Sequence, residues 1–215
     1  LEPATIVDRE DIELLESVLL QERLLLLRGR SQCGKSITAR MLLARMRTQG
    51  FKVHIGQDVR EATRILYATG ADDIVYLLDD PIGLNETHPE LAWEGLQRLV
   101  SNLPPHRYLI ITSRTDDLYR LLGEEETEWD LFGSSWTDLT VTDRAFLWTI
   151  WQQMSSGLSQ NVRSSIEQHI THDPIGSLLQ PGQLRFLVRQ RNEELATMSS
   201  SMLLSKARFN SRSLS

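Results

Sequence analysis

The segment GRSQCGKS at residues 29–36 fits the pattern G-x-x-x-x-G-K-[ST] at every fixed position. This pattern constrains the fold because it requires a buried strand before it and a helix after it. The apolar run LLLL at 24–27 and the helically spaced residues after Ser36 supply both. Glycines at 29 and 34 let the backbone curl, so that its N–H groups point inward at phosphate oxygens. The expected phosphate-binding loop consists of Gly29, Arg30, Ser31, Gln32, Cys33, Gly34, Lys35 and Ser36.

Lys35 and Ser36 have expected roles in ligand binding, whereas Cys33 and Arg30 each have two interpretations. Lys35 should reach the β- and γ-phosphates, and the Ser36 hydroxyl should hold Mg²⁺. The helix that begins near Lys35 adds the positive end of its dipole. Cys33 is interpreted as a small residue that fills a tight loop, although a reactive thiol beside Lys35 is conceivable. Arg30 is expected either to contact a ligand or, more simply, to be solvated.

Strand and helix patterns alternate through the first two thirds of the chain. The expected strands are 24–27, 51–55, 74–78, 107–112 and a weaker 135–141. Helical patterns follow Ser36, follow an N-cap at Asp58, and cover 89–101. This alternation predicts an α/β fold of three layers, with a parallel sheet of about five strands covered on both faces.

After about residue 142 the pattern becomes purely helical. Three amphipathic segments are expected near 143–154, 159–171 and 181–198, with Pro181 in a first helical turn. We therefore predict a phosphate-binding domain at 1–141 and a small all-helical lid subdomain at 142–199. Residues 200–215 are Ser-rich and are expected to be a linker or a truncated next element.

Two further motifs end predicted strands in polar residues. In IVYLLDDPIG, residues 74–83, Asp79 is expected to reach Mg²⁺, while Asp80 positions or deprotonates the attacking water. The alternative is that Asp80 and Pro81 simply form the turn that ends the strand. In LIITSR, residues 109–114, Arg114 is expected to sense the γ-phosphate, and the alternative is a surface arginine.

Composition excludes some classes of partner. The net charge is −6, which gives no overall attraction to nucleic acid or anionic lipid. No apolar run approaches the roughly 18 residues that span a membrane. The single cysteine suits a reducing compartment, so a cytoplasmic location is expected. The first residue is leucine, and we interpret the chain as a piece of a longer protein.

Five segments together resemble the STAND NTPases, the P-loop signal-transduction ATPases that include the NACHT and NB-ARC proteins and bacterial antiviral defence ATPases. They are IVDRE (6–10), GRSQCGKS, IVYLLDDPIG, LIITSR and LQPGQLRFL (179–187). The resemblance implies that Ile6 and Val7 cover the nucleotide base, although Asp8 stands where glycine is usual. It also implies that Pro181, on the helical lid, touches the adenine side.

The resemblance further implies a regulatory switch. Such a protein holds ATP or ADP between core and lid, hydrolyses ATP slowly, and self-oligomerises when a sensor domain detects its ligand. Sensor and effector would lie outside these residues. The alternatives are a nucleic-acid-handling AAA+ ATPase, a small-molecule P-loop kinase, or a scaffold that binds nucleotide without hydrolysis. The sequence shows no N-K-x-D-like guanine reader, which favours ATP over GTP.

Overall fold

The structure is a computed structural model and describes residues 12–83 and 87–209. The strands are β1 Leu24–Gly29, β2 Lys52–Gly56, β3 Ile74–Asp79, β4 Arg107–Arg114 and β5 Thr137–Asp138. The first five helices are α1 Ile12–Glu22, α2 Lys35–Thr48, α3 Val59–Leu66, α4 Pro89–Ser101 and α5 Thr115–Leu122. The remaining helices are α6 Arg144–Met154, α7 Gln160–His172, α8 Pro181–Val188, α9 Asn192–Ala196 and α10 Ser200–Phe209. Short 3-10 turns occupy Glu126–Trp129 and Ile175–Ser177.

The five strands form one parallel sheet in the order β2-β3-β4-β1-β5. The predicted α/β fold with a parallel sheet of about five strands is therefore confirmed. The fifth strand is shorter than predicted, because only Thr137 and Asp138 of the segment 135–141 pair with β1. All strands run in the same direction, so their carboxyl ends meet at one edge of the sheet.

The apolar strand runs are explained by burial on both faces of the sheet. Alternate residues such as Leu26, Tyr76 and Ile111 pack in one cluster with Leu66 of α3 and Leu96 of α4. The residues between them, among which are Leu25, Leu27, Leu77 and Ile110, are equally buried and point to the opposite face. Helices α1 and α2 contact the strands, and the buried Glu16 in the middle of α1 pairs with Arg45 in the last turn of α2.

Contacts within the chain divide it into two compact units. The sheet unit ends at Gly29, resumes at Lys35 and continues to Leu139. The helical unit comprises Arg30–Gly34 and the chain from Thr140 onward. The interior of the phosphate-binding loop thus belongs by its contacts to the helical unit. No helix in 12–83 or 87–209 is long and apolar enough to cross a lipid bilayer.

The helical unit has a core of its own. Trp151 of α6, Ile166 of α7, Leu187 of α8, Leu195 of α9 and Leu203 of α10 are all buried. The predicted helix 181–198 is two helices, because the backbone is extended at Arg191 (φ −67°, ψ 122°). The side chain of the next residue, Asn192, accepts a hydrogen bond from Ser159 N at 2.8 Å, which fixes this break.

Two helices of the sheet unit were not predicted. Helix α1 precedes the first predicted strand, and its buried positions Ile12, Leu15, Glu16 and Leu19 keep helical spacing. Helix α5 has eight residues and begins directly after Arg114, which makes no side-chain capping hydrogen bond, so no capping residue marks its start in the sequence. The first turn of helix α5 carries Asp117, which binds the Arg114 side chain.

Candidate nucleotide-binding site

The carboxyl edge of the sheet gathers the ends of three neighbouring strands, β3, β4 and β1. Asp79 at the end of β3 is the register partner of Thr112 in β4. Arg114 at the end of β4 is the register partner of Gly29, where the phosphate-binding loop begins. In open parallel sheets, ligands bind outside this edge. The strand order therefore brings Asp79, Arg114 and the start of the loop together within the sheet unit.

The loop turns sharply into helix α2 at Lys35. Gly34 adopts φ +106°, a conformation that side-chain-bearing residues rarely take, so glycine is required there. The Lys35 side chain is buried, and its ammonium group donates a hydrogen bond to Gly29 O at 3.0 Å. A buried ammonium group folded over the start of a curled loop is suited to binding phosphate oxygens.

A serine, an aspartate and a threonine form a hydrogen-bonded group beside the loop. Ser36 Oγ donates to Asp79 Oδ1 at 2.7 Å. Thr112 Oγ1 donates to the same oxygen, also at 2.7 Å. Asp79 Oδ2 lies 3.8 Å from the guanidinium of Arg40, which is largely exposed. Thr112 is almost completely buried. Because Thr112 and Ser36 both donate to Asp79 Oδ1, these two hydrogen bonds fix the orientation of the Asp79 carboxylate.

This group has the chemistry that Mg²⁺ prefers. The ion takes oxygen ligands and commonly binds one or two protein groups together with substrate phosphates and water. Ser36 and Asp79 would supply a hydroxyl and a carboxylate oxygen from adjacent positions. The part of the chain that the structure describes holds no cluster of three or more His, Cys, Asp or Glu side chains suited to a metal. A magnesium ion held by Ser36 and Asp79 would take its remaining ligands from phosphate and water.

Asp80 has an environment unlike that of Asp79. Its backbone is left-handed (φ +61°), a conformation that aspartate tolerates, and its N–H donates to Thr112 Oγ1 at 3.0 Å. Its Oδ1 is buried and makes no hydrogen bond within 12–83 and 87–209. Burial raises the pKa of the Asp80 carboxyl, the charge of Asp117 raises it further, and Arg114 and Lys35 oppose both effects. A poorly solvated carboxyl of raised pKa is typical of a general base.

Arg114 is held by a carboxylate that sequence reasoning did not select. Its Nε donates to Asp117 Oδ2 at 2.7 Å and its Nη2 donates to Asp117 Oδ1 at 3.1 Å. The Asp117 side chain has no exposed surface. The hydrogen bond to Asp117 raises the pKa of Arg114 above its usual value, although burial opposes this effect. The sequence analysis gave Asp117 no role, and it placed Thr112 in the LIITSR segment without pairing it with Asp79.

Within the helical unit, the loop residues contact the start of helix α8. Gly182 N donates to Gln32 O at 2.9 Å. A Cβ atom at position 182 would lie 2.7 Å from Gln32 Cβ and 3.0 Å from Gln32 O, so only glycine fits this approach. Arg30 donates from Nη1 to Gly176 O at 2.6 Å. Pro181, predicted to contact the base, is the first residue of α8 and precedes this contact.

A buried glutamine fixes the entry into α8. Gln180 Oε1 accepts from Val141 N at 2.9 Å, and Nε2 donates to Val141 O at 3.1 Å. The preceding residue, Leu179, donates its N–H to Nε2 of the buried His169 at 3.1 Å. Leu179 and Gln180 belong to the matched segment 179–187, but the sequence analysis assigned a contact only to Pro181.

The remaining predicted positions are placed as follows. Cys33 is buried, and Ser31 is partly buried. Ile6 and Val7, expected to cover the base, lie outside the described residues.

Comparisons with known proteins give a family and a fold for the chain. The model of the family described as Novel STAND NTPase 3 matches residues 7–142. No curated protein sequence matches the chain significantly. The fold is similar to that of the replication initiator DnaA bound to AMPPCP and single-stranded DNA, at 15% identity and a TM-score of 0.52. That match covers 87% of this chain and 60% of the initiator, so the chain spans less than two thirds of its length.

Two further solved structures share the fold. A variant of RuvB from Thermotoga maritima matches at 15% identity and a TM-score of 0.51, over 93% of this chain and 67% of its own. The ORC2 protein of Aeropyrum pernix, solved as ADPNP–ADP complexes, matches at 14% identity and a TM-score of 0.52. That match covers 99% of this chain and 70% of the other. At these identities the likeness concerns the fold alone.

Proposed function

Because the chain belongs to the novel STAND NTPase 3 family, we propose that it is the Mg²⁺-dependent, ATP-binding and slowly hydrolysing switch core of a larger signalling or defence protein. The observation that carries the proposal is the hydrogen bond from Ser36 Oγ to Asp79 Oδ1, next to a buried lysine at the head of helix α2. A hydroxyl and a carboxylate in this relation, beside a glycine-rich loop, match the needs of magnesium and nucleotide phosphates.

The residues divide the work by their positions. Lys35 and the loop N–H groups bind the phosphates, and Ser36 with Asp79 holds the ion. When bound, Mg²⁺ would neutralise charge on the nucleotide phosphates. Arg114 contacts the terminal phosphate from the end of β4. Asp80 accepts a proton from, or orients, the attacking water, a task that its raised pKa suits.

The contact between the loop and helix α8 supports a role for the helical unit in reading nucleotide. Gly182 N–H binds Gln32 O, so a shift of the loop on phosphate binding acts directly on the first turn of α8. In the proposed switch, bound ATP favours a state that self-oligomerises, and hydrolysis to ADP returns the protein to its inactive state. Sensor and effector domains lie elsewhere in the full protein, and the cytoplasm is the proposed location.

A nucleic-acid-handling ATPase is the second candidate, because one structural neighbour was solved with single-stranded DNA. The net charge of −6 argues against extended phosphate-backbone contacts. Nucleic acid should increase ATP turnover by a nucleic-acid-handling ATPase, whereas it should not change turnover by a regulatory switch.

The test is equilibrium binding of ATP, ADP and GTP with Mg²⁺, followed by ATP turnover with and without single-stranded DNA. The proposal predicts preference for ATP over GTP and slow turnover that DNA does not change. Turnover that rises with DNA would favour the second candidate, and absence of nucleotide binding would contradict both.

A further inference from the structure

The Asp117 carboxylate is buried at the site edge and is committed to two arginines. Its Oδ2 accepts from Arg114 Nε and its Oδ1 accepts from Arg114 Nη2, so the pair is bidentate. Oδ1 also accepts from Arg120 Nη2 at 2.9 Å. None of the Asp117 side chain is exposed, whereas the Arg120 side chain is about half exposed. Both oxygens of the carboxylate are therefore occupied by guanidinium groups.

The position of Asp117 in helix α5 explains how the fold tolerates a buried charge. Arg114 is the N-cap residue of α5, and Asp117 is the third residue of the helix. An acidic residue in the first turn is stabilised by the positive end of the helix dipole. At this position an acidic side chain often reaches back to the N-cap backbone N–H. Here the Asp117 carboxylate instead accepts hydrogen bonds from the side chain of the N-cap residue, Arg114, and these hydrogen bonds orient its guanidinium.

The bidentate pair with Asp117 uses one edge of the Arg114 guanidinium, and the edge that carries Nη1 is not used by this pair. Nε and Nη2 face Asp117, while Nη1 donates no hydrogen bond to any residue in 12–83 or 87–209. Arg114 lies in register with Gly29, the first residue of the phosphate-binding loop. Two residues earlier in the same strand, Thr112 Oγ1 accepts a hydrogen bond from Asp80 N at 3.0 Å, so the proposed catalytic residue lies at the end of the neighbouring strand. The uncommitted edge is thus held beside the expected position of the phosphates.

We infer that Asp117 is a positioning residue that fixes the Arg114 guanidinium so that its Nη1 edge can bind the terminal phosphate of a nucleoside triphosphate. The inference rests on the proposed function, since it requires a triphosphate at the loop. A fixed fork loses less freedom on binding than a mobile side chain, and it therefore discriminates ATP from ADP more strongly.

The test compares ATP and ADP affinities, measured by calorimetry with Mg²⁺, for the wild type, Asp117→Asn, Arg114→Ala and the double variant. Asp117→Asn keeps the size of the side chain but removes the charge that grips the guanidinium. It should lower the ratio of ATP to ADP affinity about tenfold. In the Arg114→Ala background the same change should leave the ratio unaltered, because Asp117 acts through Arg114.

The matched control is Arg120→Gln, which removes the exposed partner of the same carboxylate. The ratio should stay within about twofold of wild type. Arg114→Lys keeps a positive charge beside Asp117 but removes the guanidinium fork, so it is the second test. It should lose most of the preference for ATP.

The outcomes separate the inference from the proposed function. Absence of nucleotide binding by the wild type would overturn the proposed function. Normal binding together with an unchanged ATP preference in Asp117→Asn or Arg114→Lys would overturn the inference alone. An equal loss for ATP and ADP with a lower melting temperature would make Asp117 merely structural, which also overturns it.

Discussion

Ser36 Oγ and Asp79 Oδ1 are 2.7 Å apart, although 43 residues separate them in the chain. This hydrogen bond joins the first turn of α2 to the end of β3. Because Thr112 donates to the same oxygen, the carboxylate is oriented before any ion binds. Preorganised ligands of this kind reduce the cost of binding a cation.

Asp79→Asn should weaken Mg²⁺-dependent ATP binding by about tenfold or more, because the amide cannot replace the charge of a carboxylate ligand. ATP binding without Mg²⁺ should change little. The measurement is titration with ATP in excess Mg²⁺ and again in excess chelator. Arg40→Gln is the control, since Arg40 is an exposed partner of the same carboxylate. If Asp79→Asn binds ATP with unaltered dependence on Mg²⁺, the ion is held elsewhere.

Asp80→Asn should retain ATP binding and lose hydrolysis by about 10²- to 10⁴-fold, the usual contribution of a general base. Asparagine tolerates the left-handed backbone of position 80, so the loss reports chemistry and not strain. Single-turnover hydrolysis beside equilibrium binding is the measurement. Hydrolysis at the wild-type rate would show that Asp80 only terminates the strand.

Arg114→Ala should weaken ATP more than ADP, because only ATP presents the terminal phosphate. One charge-assisted contact is worth roughly 1.5–3 kcal/mol, which corresponds to about ten- to a hundredfold in affinity. The dissociation constants of both nucleotides give the answer directly. Equal losses for ATP and ADP would mean that Arg114 is structural.

Gly182→Ala should weaken nucleotide binding and destabilise the protein, because the new methyl group would meet Gln32 at 2.7 Å. Overpacking of this kind typically costs about 1–3 kcal/mol. Gly157→Ala is the matched control, since a Cβ atom there would contact nothing within 4 Å. Thermal unfolding with and without ATP measures both effects. Identical behaviour of the two variants would remove the contact between α8 and the loop from the account.

The features that follow local rules were predictable from the sequence. The apolar runs before Gly29 and Asp79 identified two central strands, and Asp58 caps α3 as its residue type suggested. The strand order follows from no local rule, yet it sets Arg114 beside Gly29. Asp117 was missed because an aspartate in the first turn of a helix is common, and only its burial against Arg114 distinguishes it.

The contact between Gly182 and Gln32 was likewise beyond sequence reasoning, because the two residues lie 150 positions apart and each has an ordinary local explanation. Gly182 follows a proline at the start of a helix, and Gln32 occupies a position of the loop motif at which any residue is allowed. Close approach of two backbones is a tertiary property.

The most direct test of the account is equilibrium binding of ATP to the wild type and to Lys35→Ala. The lysine contributes charge to the ligand, so its removal should abolish ATP binding while the nucleotide-free protein keeps its fold by circular dichroism. The wild type should bind ATP in the presence of Mg²⁺. Unchanged ATP affinity in a folded Lys35→Ala protein would contradict the assignment of residues 29–36 as the nucleotide-binding loop.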